Sequence, residues 1–273
     1  MALRDDVIAT IKHPAIVQAR QRIGRTGREG PTSFLVDGHS LVSQAVAAGA
    51  PVERLFFLAP VEGAKHRALL ENAQGRGIEC HRVSKGIFFR LLALGYETSV
   101  RVLAVVRRRT LPESAQPAGP DTCVLVGERI QDPRNVGVLI RTADAYGASH
   151  AVFSAGSADP FCRASVRSTT GSIFRVPLTI AEDVAGYLAR LADSGMKIVG
   201  TSAQAAELCW EEDLSGPCAI VLGNETAGLS DRAKALCDAL VSVPMSGGAH
   251  SFNVTVAAGI VLYERARQRQ EGL

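Results

Sequence analysis

The sequence has no C-x-x-C pair. Its six cysteines, Cys80, Cys123, Cys162, Cys209, Cys218 and Cys237, are scattered, a spacing that argues against a metal site and against a disulfide framework. Cys123 and Cys218 each open an apolar run and are expected as buried, reduced thiols. No apolar run approaches the ~18 residues that span a bilayer. The opening residues, MALRDDVIATIKHP, lack an apolar stretch ahead of a small-residue cleavage site. A cytoplasmic protein with no membrane partner and no metal is therefore expected.

Several catalytic signatures are also missing. No G-x-G-x-x-G follows a strand pattern, which removes the dinucleotide fingerprint. Gly223 and Gly228 have P-loop spacing, but Leu229-Ser230 stands where Lys-Ser/Thr is required. Without that lysine nothing holds the β- and γ-phosphates, so nucleoside triphosphate hydrolysis is not expected. There is no G-x-S-x-G nucleophile elbow, and His250-Ser251 is only a neighbouring pair.

The chain of 273 residues, 47% hydrophobic and 21% charged, has the composition of a globular protein and the length for two modest domains. A net charge of +3 is too small to establish a nucleic-acid partner. The basic residues are mostly arginine and partly clustered, with Arg20, Arg22, Arg25 and Arg28 near the start and Arg107, Arg108 and Arg109 in a run. Such clusters suit a phosphate backbone, and equally a solvated face.

A short helix and a glycine-rich segment, GRTGREG, precede a regular alternation. Strands are predicted at 34–36, 54–58, 80–83 and 102–106, with helices at 40–48, 62–73 and 85–94 between them. Residues 1–109 thus form a small α/β domain. The segment TLPESAQPAGP, within 110–121, has the proline and small polar residues of a linker. In residues 122–273, strands are predicted at 123–126, 151–153, 197–200, 219–222 and 241–243, with helices at 135–146, 184–193 and 253–267. Ser230 is placed to cap one further helix. Short apolar strands alternating with helices imply a mostly parallel sheet covered on both faces. Ligands of such sheets bind beyond the carboxyl ends of the strands, here the loops after Val126, Gly200, Leu222 and Val243.

Three segments of the second half, NVGVLIRTADAYG from Asn135, VLGNETAGLS from Val221 and VPMSGGAHSFNVTVAAGIVLYE from Val243, resemble in order the signature motifs of the SPOUT superfamily, in its SpoU/TrmH branch. FLVDGHSLVSQAVAAG from Phe34 resembles the start of the small L30e-type domain that precedes many such catalytic domains. The resemblance runs from about residue 30 to 267. It implies an AdoMet-binding α/β domain with a deep trefoil knot, behind an L30e-like RNA-recognition domain. It further implies a homodimer whose active site forms across the subunit interface, and methylation of a ribose 2′-hydroxyl in structured RNA. Ribosomal RNA, of the 23S type, is favoured. The alternatives are a tRNA 2′-O-methyltransferase and a non-catalytic RNA-binding or assembly protein on the same fold. A role in antibiotic resistance, known in some of the branch, has no support of its own in these residues.

By resemblance, Thr201, Leu222, Gly223, Val243, Met245 and Phe252 surround AdoMet, largely through backbone contacts. Physically, a glycine after a buried strand lets a ligand approach the backbone. Val243-Pro244-Met245 offers an apolar wall, and Gly247-Gly248 permits a tight bend. Arg141 matches the family arginine assigned to the hydroxyl, as base or as electrostatic stabiliser; a guanidinium stays protonated, which favours alkoxide stabilisation or phosphate anchoring, and an ordinary surface helix position is the alternative. Glu225 could orient the hydroxyl or that arginine, or simply favour a helix N-terminus. For Asn135, Ser251 and Asn253, helix capping competes with a place in catalysis. The segment SVRSTTGSIF from Ser165 also resembles the family, which makes Arg163 and Arg167 candidate RNA-phosphate contacts beside Arg20 and Arg22. Phe252 and Thr255 depart from the leucine and serine common in the family.

Overall fold

Apolar strands and amphipathic helices sort into two sheets in a computed structural model that describes residues 6–24, 31–60, 63–92, 99–115, 117 and 119–271. Arg25 and Arg28 of the N-terminal cluster, the start of the second predicted helix at Glu62, and Gln116 and Ala118 of the linker lie outside these residues. The chain divides into two units. One contains residues 1–108 together with 161–167, and the other the remainder.

The first unit contains α1 (Pro14–Ile23), β1 (Ser33–Asp37), α2 (His39–Ala47), β2 (Val52–Leu58), α3 (Ala64–Gly75), β3 (Glu79–Val83), α4 (Lys85–Leu92) and β4 (Val102–Arg107). α1 starts where the His13 imidazole accepts the Ala15 N–H and Pro14 takes the first helical position, where its missing N–H costs nothing. The four strands lie in the order β1-β4-β2-β3, with only β2 and β3 parallel. Phe56, Phe88 and Leu103 centre the core. Asp37, its side chain 1% exposed, is held by both nitrogens of an Arg163 fork, at 2.9 and 2.8 Å, and by Arg167 at 2.9 Å.

The second unit contains β5 (Cys123–Gly127), α5 (Pro133–Ala145) and β6 (His150–Ser154); after α6 (Arg163–Ser168), which belongs to the first unit up to Arg167, it continues with β7 (Leu178–Ala181), α7 (Val184–Asp193), β8 (Lys197–Thr201), β9 (Glu207–Leu208), β10 (Cys218–Leu222), α8 (Asp231–Lys234), β11 (Ala239–Ser242) and α9 (Val254–Glu271). All pairings in the seven-stranded sheet, ordered β7-β6-β5-β10-β8-β11-β9, are parallel. β5, β6 and β10 are buried at every residue, which explains why their sequences show runs rather than alternation. Val124, Tyr187, Ile198 and Val221 share the core. Cys123 and Cys218, direct neighbours on β5 and β10, are both buried and free. From β5 the chain builds outward through β6 and β7, then returns to place β8, β10 and β11 on the other side. Beyond the strand ends at that reversal lies the crevice where such sheets bind ligands.

The strands β7 and β9 and the helix α6 were not predicted from the sequence. β7 follows a proline and has four residues, and β9 has two, too few to show a period. Gly247 and Gly248 correct another expectation: neither has a positive φ, and a Cβ at either would meet nothing within 4 Å. The bend there does not depend on glycine. Among the described residues no helix is long and apolar enough to cross a membrane. No group of three or more His, Cys, Asp or Glu side chains there could hold a metal ion.

One buried group links this sheet to pH. His150, 1% exposed at the start of β6, has Nε2 at 2.8 Å from the Thr179 hydroxyl. That hydroxyl donates to the Leu111 carbonyl, so the imidazole N–H is the donor to Thr179. Burial pushes the His150 pKa down from 6.5 to about 4. Between those values the unfolded chain binds a proton that the folded one does not, so stability falls as pH drops through the window, by up to about 3 kcal/mol. Thermal unfolding from pH 7 to 4.5 should show this loss, and His150→Gln should flatten the slope. An unchanged slope in the variant would remove His150 as its cause.

Candidate active site

The crevice is shaped by the loop after β10. At Gly223 a Cβ would stand 2.2 Å from the Gly228 carbonyl carbon and 2.3 Å from the Leu229 nitrogen. Both contacts are with backbone, so no rotamer relieves them. The chain turns back on itself here through paired Asn224–Gly228 hydrogen bonds of 3.1 and 2.9 Å, with Gly228 at φ +69°. The Asn224 side chain fastens the turn, accepting the N–H groups of Thr226 and Ala227 and donating to the Arg129 carbonyl.

The loop after β5 is tied to the same turn. The Glu225 carboxylate accepts the N–H groups of Gln131 and Asp132, at 3.1 and 3.2 Å, and the Asn135 amide at 2.9 Å. Asn253 in turn donates to Asn135 Oδ1 at 3.3 Å, while its own Oδ1 caps α9 by accepting Thr255 N–H at 2.8 Å. Asn253, Asn135 and Glu225 thus form a relay across the three segments singled out in the sequence, and for Asn253 capping and relay coexist. α5 itself is capped by Asp132, not Asn135, because the Asp132 carboxylate accepts Arg134 N–H. Burial pushes the Glu225 carboxyl up, but the Asn135 amide and the N–H groups of Gln131 and Asp132 outweigh it and hold it below the usual carboxylate range. It is an ionised clamp rather than a proton donor.

A cleft of about 500 Å³ opens between this turn and the segments after β8 and β11. Thr201, Leu222, Gly223, Val243, Met245 and Phe252 all line it, as do Glu225, Ser251 and Asn253. The Thr201 hydroxyl donates to the Val221 carbonyl at 3.2 Å, which fixes one wall. Arg141 is placed differently: it is exposed on α5, is not part of the lining, and makes no hydrogen bond or ion pair among the described residues. Glu225, whose partners are the α5 N-terminus and its loop, does not orient it.

The candidate RNA contacts also divide. Arg163 and Arg167 are engaged by the buried Asp37, Arg22 by Glu53, whereas Arg20 is exposed in the last turn of α1. Glu128 was missed. It is 7% exposed at the end of β5 and accepts the Ser230 N–H and hydroxyl at 2.8 and 2.6 Å, locking the turn and the start of α8 to β5. Asn224 was missed as well. An asparagine after a strand-end glycine is a signal for a turn, but the partner of Glu128 lies 102 positions away.

An all-parallel sheet with a cleft beyond the carboxyl ends of β8, β10 and β11, closed by a turn that glycine alone permits, is the arrangement of an α/β enzyme of cofactor-binding type. The chain belongs to the SpoU rRNA Methylase family, which matches residues 122–263. It is 34% identical over 255 residues, 91% of this chain and 87% of the relative, to the 23S rRNA (uridine(2479)-2′-O)-methyltransferase of Streptomyces viridochromogenes. The crystal structure of the SpoU methyltransferase AviRb from that organism, in complex with the cofactor AdoMet, is 31% identical and superimposes with a TM-score of 0.80, covering 94% of this chain and 99% of that one. An AdoMet-bound rRNA methyltransferase from Sinorhizobium meliloti is 25% identical with a TM-score of 0.82, over 96% and 98% of the two chains.

Proposed function

We propose that the chain is an AdoMet-dependent RNA 2′-O-ribose methyltransferase acting in the cytoplasm on ribosomal RNA, with 23S rRNA its favoured substrate. The observation that carries this is the cleft at the Gly223 turn, in a chain 34% identical to an enzyme of that activity. The residues fit the cofactor. Gly223 leaves a backbone surface where a Cβ would stand, and Leu222, Val243, Met245 and Phe252 supply apolar walls. Bound there, AdoMet supplies an electrophilic methyl group on a sulfonium.

The chain's own groups position the ribose and manage its charge. The Asn253–Asn135–Glu225 relay holds the cleft's rim, and Ser251 lies beside it. Arg141 stabilises the negative charge that develops on the oxygen as its proton passes to water. Because Arg141 does not line the cleft of its own chain, we assign it to the cleft of a second copy in a homodimer. The exposed Val256 and Tyr263 on α9, with Phe252 just before it, give that copy an apolar surface to cover. The turn after β10 and the segment after β11, which converge on one cleft, support a trefoil knot in the catalytic domain, 122–273. The first unit, with 110–121 as linker, is the RNA-recognition domain of L30e type, a role supported by its basic residues and separate core.

Labelled methyl transfer from AdoMet to RNA from a strain lacking the gene tests the reading. Label is expected in ribosomal RNA, recovered as a 2′-O-methyl nucleoside. Label in transfer RNA alone would move the substrate, and AdoMet binding without transfer to any RNA would favour an assembly protein.

A further inference from the structure

The first unit has a cavity of its own, of about 540 Å³, at the carboxyl ends of β2 and β3 and the start of α3 and α4. Its floor is apolar, from Phe57, Leu58, Leu69 and Leu70, all buried. Its rim is basic, with Arg82, Lys85 and Arg101, and His66 beside them. No carboxylate lines it among the described residues.

These cations differ from others in the same unit. Arg22 and Arg107 are matched by Glu53, and Arg54 by Glu79. Arg82, Lys85 and Arg101 have no hydrogen bond or ion pair from their side chains among the described residues; Lys85 only stands 5.9 Å over the Phe89 ring. Three like charges around one cavity, with no carboxylate among the described residues lining it, repel one another. A ligand that brings an anion relieves that repulsion. The volume lies within the range of small-molecule sites, and the floor asks for a flat apolar body attached to that anion.

We propose that this cavity binds a nucleotide, its phosphate on Arg82, Lys85 and Arg101 and its base over the apolar floor. On the RNA-methyltransferase reading, on which this source rests, the nucleotide is an unpaired one of the RNA substrate, since splayed-out bases are what proteins read in RNA. A free mononucleotide has the same chemistry.

The test uses the full chain with Lys85→Ala and Arg101→Ala combined, both exposed positions, against a control of Arg67→Ala on α3 and Arg76→Ala at its C-terminal cap, both outside the lining. The probes are ribosomal RNA from a strain lacking the gene and uridine monophosphate. For RNA as occupant, the pocket pair should weaken RNA binding by about tenfold or more and lower the salt slope by up to about 0.7, the value of one phosphate contact on a single strand. The control pair should do less. For a free nucleotide, uridine monophosphate should bind the natural chain and not the pocket pair, with RNA affinity unmoved. Equal losses in the two pairs, or none for either probe, would overturn the site. AdoMet affinity and methyl transfer are read separately: a chain that binds RNA through the pocket yet methylates none would sink the proposed function and leave the site standing.

Discussion

Gly223→Ala should all but abolish AdoMet binding while leaving the fold intact. The added Cβ would meet backbone of Gly228 and Leu229 at 2.2 to 2.6 Å, so the turn must open rather than a side chain rotate. Opening it strains the Asn224–Gly228 pairing and the Glu225 contacts to the α5 N-terminus. Overpacking of this kind costs about 1–3 kcal/mol, and displacement of the cleft wall at the upper end of that range lowers affinity on the order of 100-fold. Calorimetric titration with AdoMet, beside a thermal melt, reads both effects. Gly247→Ala, with open space around it, serves as the comparison and should bind normally. AdoMet affinity within twofold of the natural chain in Gly223→Ala would show that the cofactor does not sit against this turn.

The sequence reveals this turn only in part. A glycine ending a buried strand is visible as such, and so is the convergence of the loops after Gly200, Leu222 and Val243, because apolar runs mark the strands and parallel sheets place their loops at one end. The reason for the glycine is not visible. Gly223 has no positive φ; it is required by a neighbour five positions on, brought close by hydrogen bonds. The glycines that looked equally special, Gly247 and Gly248, meet nothing. Long-range partnerships escape for the same reason. Nothing local to Glu128 announces Ser230, and nothing local to Arg163 and Arg167 announces the buried Asp37, 126 and 130 positions away. Read by itself, an arginine pair on a short helix suits a phosphate. Its fork on a carboxylate 1% exposed is instead an anchor within the first unit, where loss of both arginines would leave a buried charge uncompensated.

Arg141→Ala should lower kcat by about 100- to 1000-fold, as removal of one stabilising donor does elsewhere, with AdoMet affinity unchanged because the arginine is assigned to the ribose oxygen and not to the cofactor. Unchanged turnover with normal RNA binding would remove the arginine from the chemistry. A second readout separates action within one chain from action across a dimer. An Arg141→Ala copy keeps an intact cleft, and a Gly223→Ala copy keeps its arginine. If each arginine serves the partner's cleft, a mixed dimer of the two has one complete site. A C2 interface presents the same patch from both subunits, so an equal mixture should recover about a quarter of the natural activity from two nearly inactive parents. If the arginine serves its own cleft, every site in the mixture lacks one component and no activity returns. Recovery would also require the exposed face of α9, with Val256 and Tyr263, to be covered by a second copy. Charged substitution of Tyr263 should then abolish the recovery and the dimer together.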